Sequence, residues 1–378
     1  MINPDRAGFV SGLEGVVAAE TRLSHVDGKK GQLVIAGYPV EELAPNARFE
    51  EVAYLLFHDR LPSAGELRDY HQALASSRRL PDATLELLRA AAARQVPAMD
   101  ALRMAVASID LEPSDDLANS LIARFPTIVA AFWRMRQGEE PVAPRPDLDH
   151  AANYLYMLTG SEPPPERARA LETYLNTVSD HGLNASTFVA RVIISTDSDL
   201  VSAITGAIGA LKGPKHGGAP GPALELVFES GTAENAEPVL RAHLDRGERL
   251  MGFGHRVYKV RDPRAEVLGA AAEQLYLSGH AAQGGLDLFN LARHVEETAV
   301  RLLEEYKPGR NLQTNVEFYT ALLLHGVGLE TDLFTPTFAI GRVLGWIAHA
   351  YEQQATGRLI RPSSVYTGDF DRRWPEKR

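Results

Sequence analysis

The stretch that decides the fold of this chain is Gly213-Pro-Lys-His-Gly-Gly-Ala-Pro-Gly-Pro222. Helical patterning precedes and follows it, and strand signal is scarce, so the sequence predicts an all-α protein. Phe49, Val52, Ala53 and Leu56, for example, follow the i, i+3, i+4, i+7 spacing of a helix with one buried face. A proline- and glycine-rich break in a helical chain is typical of a domain hinge. The stretch therefore predicts a hinge between two helical parts.

Outward from this break, the pattern predicts a series of helices and one small β hairpin. The helices are expected near 82–94, 99–109, 115–137, 149–159, 165–179, 222–230, 234–246, 262–278, 286–305, 314–328 and 336–356. A further helix is expected to begin after Ser63, because Ser63 and Glu66 form a capping-box pattern. The strand candidate, 31–37, follows Asp27-Gly28 and predicts a hairpin near the N-terminus.

Composition limits the class of protein. The chain has 378 residues, 45% of them hydrophobic and 23% charged, which is globular composition with room for two domains or one large one. The 39 Lys and Arg against 49 Asp and Glu give a net charge of −10, so nucleic acid is not an expected partner. The absence of cysteine excludes disulfides, thiolate metal sites and cysteine nucleophiles. Without a signal-like start or a long apolar run, we expect a soluble cytoplasmic protein with no membrane partner.

Histidine is the side chain best suited to proton transfer near neutral pH, and five of the twelve histidines have a glycine neighbour. His216 and His255 lie in glycine-rich stretches that are typical of loops shaped around a ligand. His280 and His325 fit helix ends instead. A metal site is disfavoured, because His181, His216 and His255 are far apart in sequence and no His-x-x-x-His pair exists.

Two further side chains have charges in apolar surroundings. Arg342 lies in the apolar run 338–348, where a buried charge needs a partner. Its planar guanidinium fits a carboxylate, which either an internal acid or a substrate could supply. Glu317 is flanked by apolar and aromatic residues, which would make it a stronger base. Alternatively, Glu317 is an acid at a helix N-terminus capped by Thr314 or Asn315.

Stretches along nearly the whole chain resemble the citrate synthase family, and the one from Gly252 to Arg264 is highly specific. In order, the matching stretches are Gly12-Leu-Glu-Gly-Val-Val, Val26-Asp-Gly, Gly37-Tyr, Asp180-His-Gly-Leu-Asn-Ala-Ser-Thr187, Gly213-Pro-Lys-His-Gly-Gly218, Gly252-Phe-Gly-His-Arg-Val-Tyr-Lys-Val-Arg-Asp-Pro-Arg264, Asn315-Val-Glu-Phe-Tyr319 and Phe334-Thr-Pro-Thr-Phe-Ala-Ile-Gly-Arg-Val-Leu-Gly-Trp346. The resemblance implies a two-domain helical homodimer that closes over its ligands. The large domain would comprise 1–219 and 328–378, and the small, acyl-CoA-binding domain 220–327.

The resemblance also implies a reaction, in which acetyl-CoA condenses with oxaloacetate and citryl-CoA is hydrolysed to citrate and CoA, without a cofactor or metal. His216 would hydrogen-bond the thioester oxygen, Glu317 would remove a methyl proton, and His255 would protonate the oxaloacetate carbonyl. The other implied oxaloacetate-binding residues are His181, Arg264, Arg342 and Arg361, the last contributed across the dimer interface. The implied CoA-binding residues are Met251, Gly252, Phe253, Gly254 and Lys259.

One residue departs from the family pattern, since most members have Asp where this chain has Glu317. The extra methylene advances the carboxylate by about 1 Å, a displacement that can cost on the order of a hundredfold in rate. Two alternatives follow. A 2-methylcitrate synthase would use propionyl-CoA with the same groups, and one methyl group discriminates by only about 1–3 kcal/mol. A weakly active paralogue would bind ligands without turnover.

Overall fold

Sixteen helices and one small sheet make up the part of the chain that the computed structural model describes, residues 9–109, 116–217, 220–255 and 257–374. The prediction of an all-α protein is therefore confirmed. The first ten helices are α1 Val40–Asn46, α2 Phe49–His58, α3 Ala64–Ser76, α4 Asp82–Ala93, α5 Ala98–Ala107, α6 Leu117–Arg136, α7 His150–Thr159, α8 Pro165–Thr177, α9 Ala185–Ile194 and α10 Leu200–Leu211. The other six are α11 Pro220–Ser230, α12 Ala233–Asp245, α13 Pro263–Leu277, α14 Leu286–Tyr306, α15 Val316–Val327 and α16 Phe334–Thr356.

The local signals that predicted helices act as expected. Phe49, Val52 and Leu56 of α2 are completely buried, which confirms the predicted face. At the start of α3, Ser63 Oγ accepts a hydrogen bond from Glu66 N (3.4 Å) and Ser63 N donates to Glu66 Oε2 (2.8 Å). This is the predicted capping box, which satisfies amide groups that a helix end leaves without partners.

Three helices, α1, α9 and α10, were not predicted from the sequence. The first has seven residues and contains Pro45, so its periodicity is short and interrupted. Helix α10 buries one face, but its opposite face consists of Ser, Thr, Gly and Ala rather than charged residues, so the contrast in polarity between the two faces is weak. Helix α9 is rich in β-branched residues, which have weaker helix propensity.

The predicted hairpin is present and has a third strand. Strands β1 (Ser24–Asp27) and β2 (Gln32–Ile35) pair antiparallel, with Ser24 opposite Ile35 and Asp27 opposite Gln32. Strand β3 (Tyr38–Pro39) then pairs with the end of β2. The side chain of Asp27 shapes the turn, because its Oδ1 accepts hydrogen bonds from Lys29 N and Lys30 N, both at 3.0 Å.

Helices α11 to α15 pack mainly on one another, with α12 against α14 and both α11 and α13 against α15. Helices α13 and α15 also contact α8. The glycine- and proline-rich stretch begins after α10, and its last three residues form the start of α11, with Gly218 and Ala219 outside the described residues. This grouping is compatible with the small domain predicted at 220–327, and the division into two domains stays a prediction.

Helix α16 passes through the centre of the core, against α6, α8, α9 and α10. Its Gly345 N donates to Ser179 O at 3.1 Å. A Cβ at Gly345 would lie 2.5 Å from both Ser179 O and Asp180 Oδ1, so only glycine allows this close approach. The end of α8 and the residues that follow it are thereby held against α16. No helix in the described ranges is long and apolar enough to cross a membrane.

Candidate active site

Two of the predicted histidines lie side by side although they are far apart in sequence. The rings of His181, which follows α8, and His255, which precedes α13, have centroids 6.2 Å apart. Tyr258 contacts both rings, and its hydroxyl is 3.0 Å from His181 Nε2. The structure thus assembles a cluster of two imidazoles and a phenol where α8 meets the segment before α13.

The loop that presents His255 is paired with the segment before α15. Phe253 forms an isolated β-bridge with Thr314, and Gly254 N donates to Gln313 O at 2.7 Å. Gly252 and Gly254 have φ values of +90° and +80°, which favour glycine strongly. The two glycines therefore let the loop bring His255 to the start of α15, where Glu317 lies.

His255 has a defined tautomer. Its Nδ1 accepts hydrogen bonds from Val257 N and Tyr258 N, both at 3.1 Å. A nitrogen that accepts from amides has no proton, so the neutral ring carries its proton on Nε2. Burial, reinforced by the charge of Arg264, lowers the pKa of His255 to about 4. At neutral pH, His255 is therefore an uncharged donor through Nε2.

His216 belongs to a hydrogen-bond network that sequence reasoning missed. Its Nε2 lies 2.8 Å from Ser186 Oγ, which is also 2.8 Å from Asn184 Oδ1 and accepts from Trp346 Nε1 at 3.1 Å. The single hydroxyl proton of Ser186 can point to either Asn184 or His216. When it points to His216 Nε2, the ring proton lies on Nδ1 and is available to a ligand. Burial lowers the pKa of His216 to about 4, and Arg342 adds to this effect.

Glu317 satisfies both of the alternatives that the sequence left open. It lies in the first turn of α15, where Asn315 is the N-cap and accepts from Glu317 N at 3.0 Å. Asn315 Nδ2 also donates to Gly254 O at 2.9 Å, which ties the cap to the His255 loop. Burial raises the pKa of the Glu317 carboxyl, and Arg264 partly opposes the rise. A helix N-terminal acid is thus also a strengthened base.

The two arginines assigned to the oxaloacetate site within this chain, Arg264 and Arg342, are buried and have different partners. Arg264 pairs internally, through hydrogen bonds from Nε and Nη2 to the Asp262 carboxylate at 3.0 and 2.7 Å. Arg342 donates from Nε to the Val178 carbonyl at 2.6 Å, and its two terminal NH2 groups make no hydrogen bond with the described residues. Burial, together with the positive charge of Arg264, lowers the pKa of Arg342 to about 10, which leaves it charged at neutral pH. Arg342 is therefore a buried cation with free donors for an anion.

A buried network lies beneath His181. Its neighbour Asp180 accepts from Ser24 Oγ at 2.5 Å and lies 3.2 Å from His349 Nε2. Arg191 Nη1 donates to His349 Nδ1 at 2.9 Å, so the proton of His349 is on Nε2, facing Asp180. Asp180, Arg191 and His349 were not predicted as site residues. A local signal was present in the sequence only for Arg191 and His349, which are charged or polar residues within apolar helices.

The remaining predicted residues lie at the edge of this region or outside it. Met251, Phe253 and Gly254 form a half-buried loop beside Phe318, and Gly252 is buried. The side chain of Lys259 is exposed. Arg361 is exposed on the extended segment after α16, and it makes no hydrogen bond or ion pair with the histidines of the described residues. Arg256, within the specific stretch from Gly252 to Arg264, lies outside the described residues.

A group of possible metal ligands occurs elsewhere in the described ranges. Atoms of Glu50, His71 and Asp149 all lie within 4.8 Å of one another and could hold a cation. None of the predicted site residues belongs to this group. The predicted chemistry does not use it.

Three depressed histidine pKa values predict how stability depends on pH. The pKa of His181 is lowered well below 6.5, mainly by burial, and those of His216 and His255 are lowered to about 4. As pH falls from 6.5 toward 4, the unfolded chain takes up protons that the folded chain does not. Each histidine therefore removes at most about 1.4 kcal/mol of stability per pH unit. Glu317, whose pKa is raised, acts in the opposite direction.

Urea unfolding at pH 7 and pH 5 measures this dependence. We expect the loss of stability between the two pH values to be smaller in His216→Gln than in the parent chain. An equal loss in both proteins would contradict the burial of a neutral His216.

The fold and the site define a helical protein in which a buried arginine with unused donors, a strengthened carboxylate and neutral imidazoles form an arrangement suited to binding an anion and transferring protons. A family model described as "Citrate synthase, C-terminal domain" matches residues 12–363. The chain belongs to the citrate synthase family.

Individual relatives agree with this assignment. A citrate synthase of Haloferax volcanii is 43% identical, covering 95% of this chain and 96% of that protein. A 2-methylcitrate synthase of Mycobacterium tuberculosis is 38% identical, covering 98% and 93%. A solved ternary complex of the Thermoplasma acidophilum citrate synthase with carboxymethyl coenzyme A and oxaloacetate has a TM-score of 0.85 and 31% identity, covering 97% and 98%. The predicted family, fold class and citrate synthase-type activity are confirmed.

Proposed function

We propose that this chain condenses acetyl-CoA with oxaloacetate and hydrolyses the resulting citryl-CoA to citrate and CoA. The observation that carries the proposal is Arg342, whose guanidinium is buried beside the histidine cluster with its terminal donors unused by the described residues. A buried cation of this kind is suited to a substrate carboxylate. The Thermoplasma relative, solved with oxaloacetate and a CoA derivative, supports this choice of ligands.

At the oxaloacetate end, Arg342 and Arg264 would hold carboxylates, and His181 would donate a further hydrogen bond. His255 would donate from Nε2 to the keto oxygen, because its Nδ1 is occupied by two backbone amides. As the new carbon–carbon bond forms, the keto oxygen takes the Nε2 proton and becomes the hydroxyl of the product.

At the acetyl end, the Glu317 carboxylate would take a proton from the methyl group of acetyl-CoA. The negative charge then develops on the thioester oxygen, where a donated hydrogen bond supplies much of the rate enhancement. His216 would donate this bond from Nδ1, with Ser186 turned to donate to its Nε2. The enolate carbon attacks the keto carbon, and water finally cleaves the thioester to release CoA. The loop 251–254 and Lys259 would contact the CoA moiety. The reaction needs no metal or cofactor.

We further propose that the chain has two domains that close over the substrates. The large domain comprises 1–219 and 328–378, and the small domain comprises 220–327. The proposal also includes a cytoplasmic homodimer. Arg361 lies on the exposed segment that follows α16 and makes no contact with the described site residues. A residue so placed can reach the substrate of a second copy, so we assign Arg361 to the partner subunit's oxaloacetate site.

The acyl-CoA preference tests the substrate assignment. We expect kcat/KM for acetyl-CoA to exceed that for propionyl-CoA by about tenfold or more, since one methyl group in a fitted pocket is worth about 1–3 kcal/mol. Free-thiol release with each acyl-CoA at saturating oxaloacetate measures both values. A clear preference for propionyl-CoA would assign the chain to 2-methylcitrate synthesis, and ligand binding without thiol release would identify an inactive paralogue.

A further inference from the structure

The β1–β2 hairpin touches the loops of both clustered histidines. At the start of β1, Ser24 Oγ accepts from Gly182 N at 2.7 Å and donates to Asp180 Oδ2 at 2.5 Å. These two partners are the residues on either side of His181. The base of the hairpin is therefore bonded directly to the His181 loop.

The turn of the same hairpin contacts the residues that follow His255. Gly28 O accepts a hydrogen bond from Lys259 N at 2.8 Å. A Cβ at Gly28 would lie 2.2 Å from Val257 O and 2.7 Å from Val257 C, which is closer than van der Waals contact permits. A Cβ at Gly31 would lie 2.7 Å from Val260 Cγ2. The backbone of the turn thus lies flat against residues 257–260.

We propose that this hairpin is a positioning element that fixes the His181 loop and the His255 loop relative to each other. Ser24 holds the His181 loop, and Gly28 holds the His255 loop. The two loops come from the two predicted domains, since 257–260 lies within 220–327. The hairpin therefore connects the two halves of the oxaloacetate site. This inference rests on the proposed function only for its catalytic consequence, because the contacts themselves are independent of substrate.

The contact at Gly28 acts on the atoms that fix the His255 tautomer. Val257 N and Tyr258 N donate to His255 Nδ1, and Gly28 lies against Val257. The φ of Gly28 is outside the left-handed region, so the backbone there can accommodate alanine. The effect of the substitution is therefore confined to the close contact with Val257, which the added Cβ would push away. Displacing Val257 would weaken both amide bonds to Nδ1. The ring could then carry its proton on either nitrogen and would ionise more readily.

Gly28→Ala tests the proposal, with Gly65→Ala as the matched control. Gly65 lies in α3, where a Cβ would come no closer than 3.9 Å to any neighbour. We expect kcat of Gly28→Ala to fall about 10- to 100-fold, as for a catalytic group misplaced by about 1 Å. The acid limb of its kcat profile should move toward higher pH, and melting and circular dichroism should show a folded protein.

A long-range 1H–15N spectrum of 15N-histidine-labelled protein gives a readout that does not need turnover. We expect His255 to be the Nε2–H tautomer in the parent chain and in Gly65→Ala, and a mixture of tautomers in Gly28→Ala. Such a mixture in a chain that makes no citrate would support the positioning role while rejecting the proposed function. Parent-like kcat and tautomer in folded Gly28→Ala would overturn the positioning role.

If Gly28→Ala does not fold, Ser24→Ala tests the other end of the hairpin. Loss of this hydroxyl removes the bonds to Gly182 N and Asp180 Oδ2. We expect KM for oxaloacetate to rise about tenfold, because the loss of one or two hydrogen bonds weakens binding by about that factor. KM for acetyl-CoA should not change. An unchanged KM for oxaloacetate would contradict the proposal.

Discussion

Replacing Glu317 by Gln is expected to lower kcat by about 10²- to 10⁴-fold, the range that a positioned general base contributes. The amide keeps the size of the side chain and its place after the Asn315 cap, but it cannot accept the methyl proton. KM for oxaloacetate should change little, because the oxaloacetate contacts are assigned to other residues. Stopped-flow or steady-state thiol release measures both constants.

Two further variants make this test specific. Glu297→Gln, at an exposed position of α14, removes the same charge away from the site and should retain parent activity. Glu317→Asp keeps the base but withdraws the carboxylate by about 1 Å, so it reports how the rest of the site is fitted to glutamate. Full activity of Glu317→Gln would eliminate Glu317 as the base.

Replacing Arg342 by Leu is expected to raise KM for oxaloacetate by about 10- to 150-fold for each charge-assisted hydrogen bond lost. Leucine fills part of the space in the apolar core around α16, so the folded state should persist. The dissociation constant for oxaloacetate, measured by calorimetry, separates weak binding from slow chemistry.

Arg94→Ala provides the control, because Arg94 is an exposed arginine at the end of α4. It should bind oxaloacetate as the parent does. Parent-like oxaloacetate binding by Arg342→Leu would mean that the free donors of this buried guanidinium serve another purpose.

Local patterns were sufficient for much of the fold. The burial of Phe49, Val52 and Leu56 and the capping box at Ser63 follow from residues within a few positions of one another. The same patterns failed for α9 and α10, because the two faces of each helix differ little in polarity. The buried face of α9 contains polar residues such as Ser186 and Arg191, and the other face of α10 has no charged residue. The third strand of the sheet was also missed, since two residues carry too little signal.

Prediction of the candidate site from the sequence was limited in a different way. The glycines around His216 and His255 indicated ligand-shaped loops, and the resemblance supplied their roles. The partners of these histidines could not be predicted, because Ser186 meets His216, and the Asn315 cap meets the His255 loop, only through long-range contacts. The amide of Val257 is close to His255 in sequence, but its bond to Nδ1 depends on the backbone conformation of the loop. Whether Arg342 pairs with an internal acid or is free for a ligand likewise could not be predicted, because it depends on which groups surround the guanidinium in the folded chain. Residue type predicted which groups carry the chemistry, and tertiary structure determined their protonation states.

The most direct test of the central claim is release of free thiol by the purified chain from acetyl-CoA, with and without oxaloacetate, combined with detection of citrate. The account predicts thiol release that requires oxaloacetate and produces one citrate for each CoA. Thiol release that is independent of oxaloacetate, or no release with either acyl-CoA despite binding of both substrates, would contradict it.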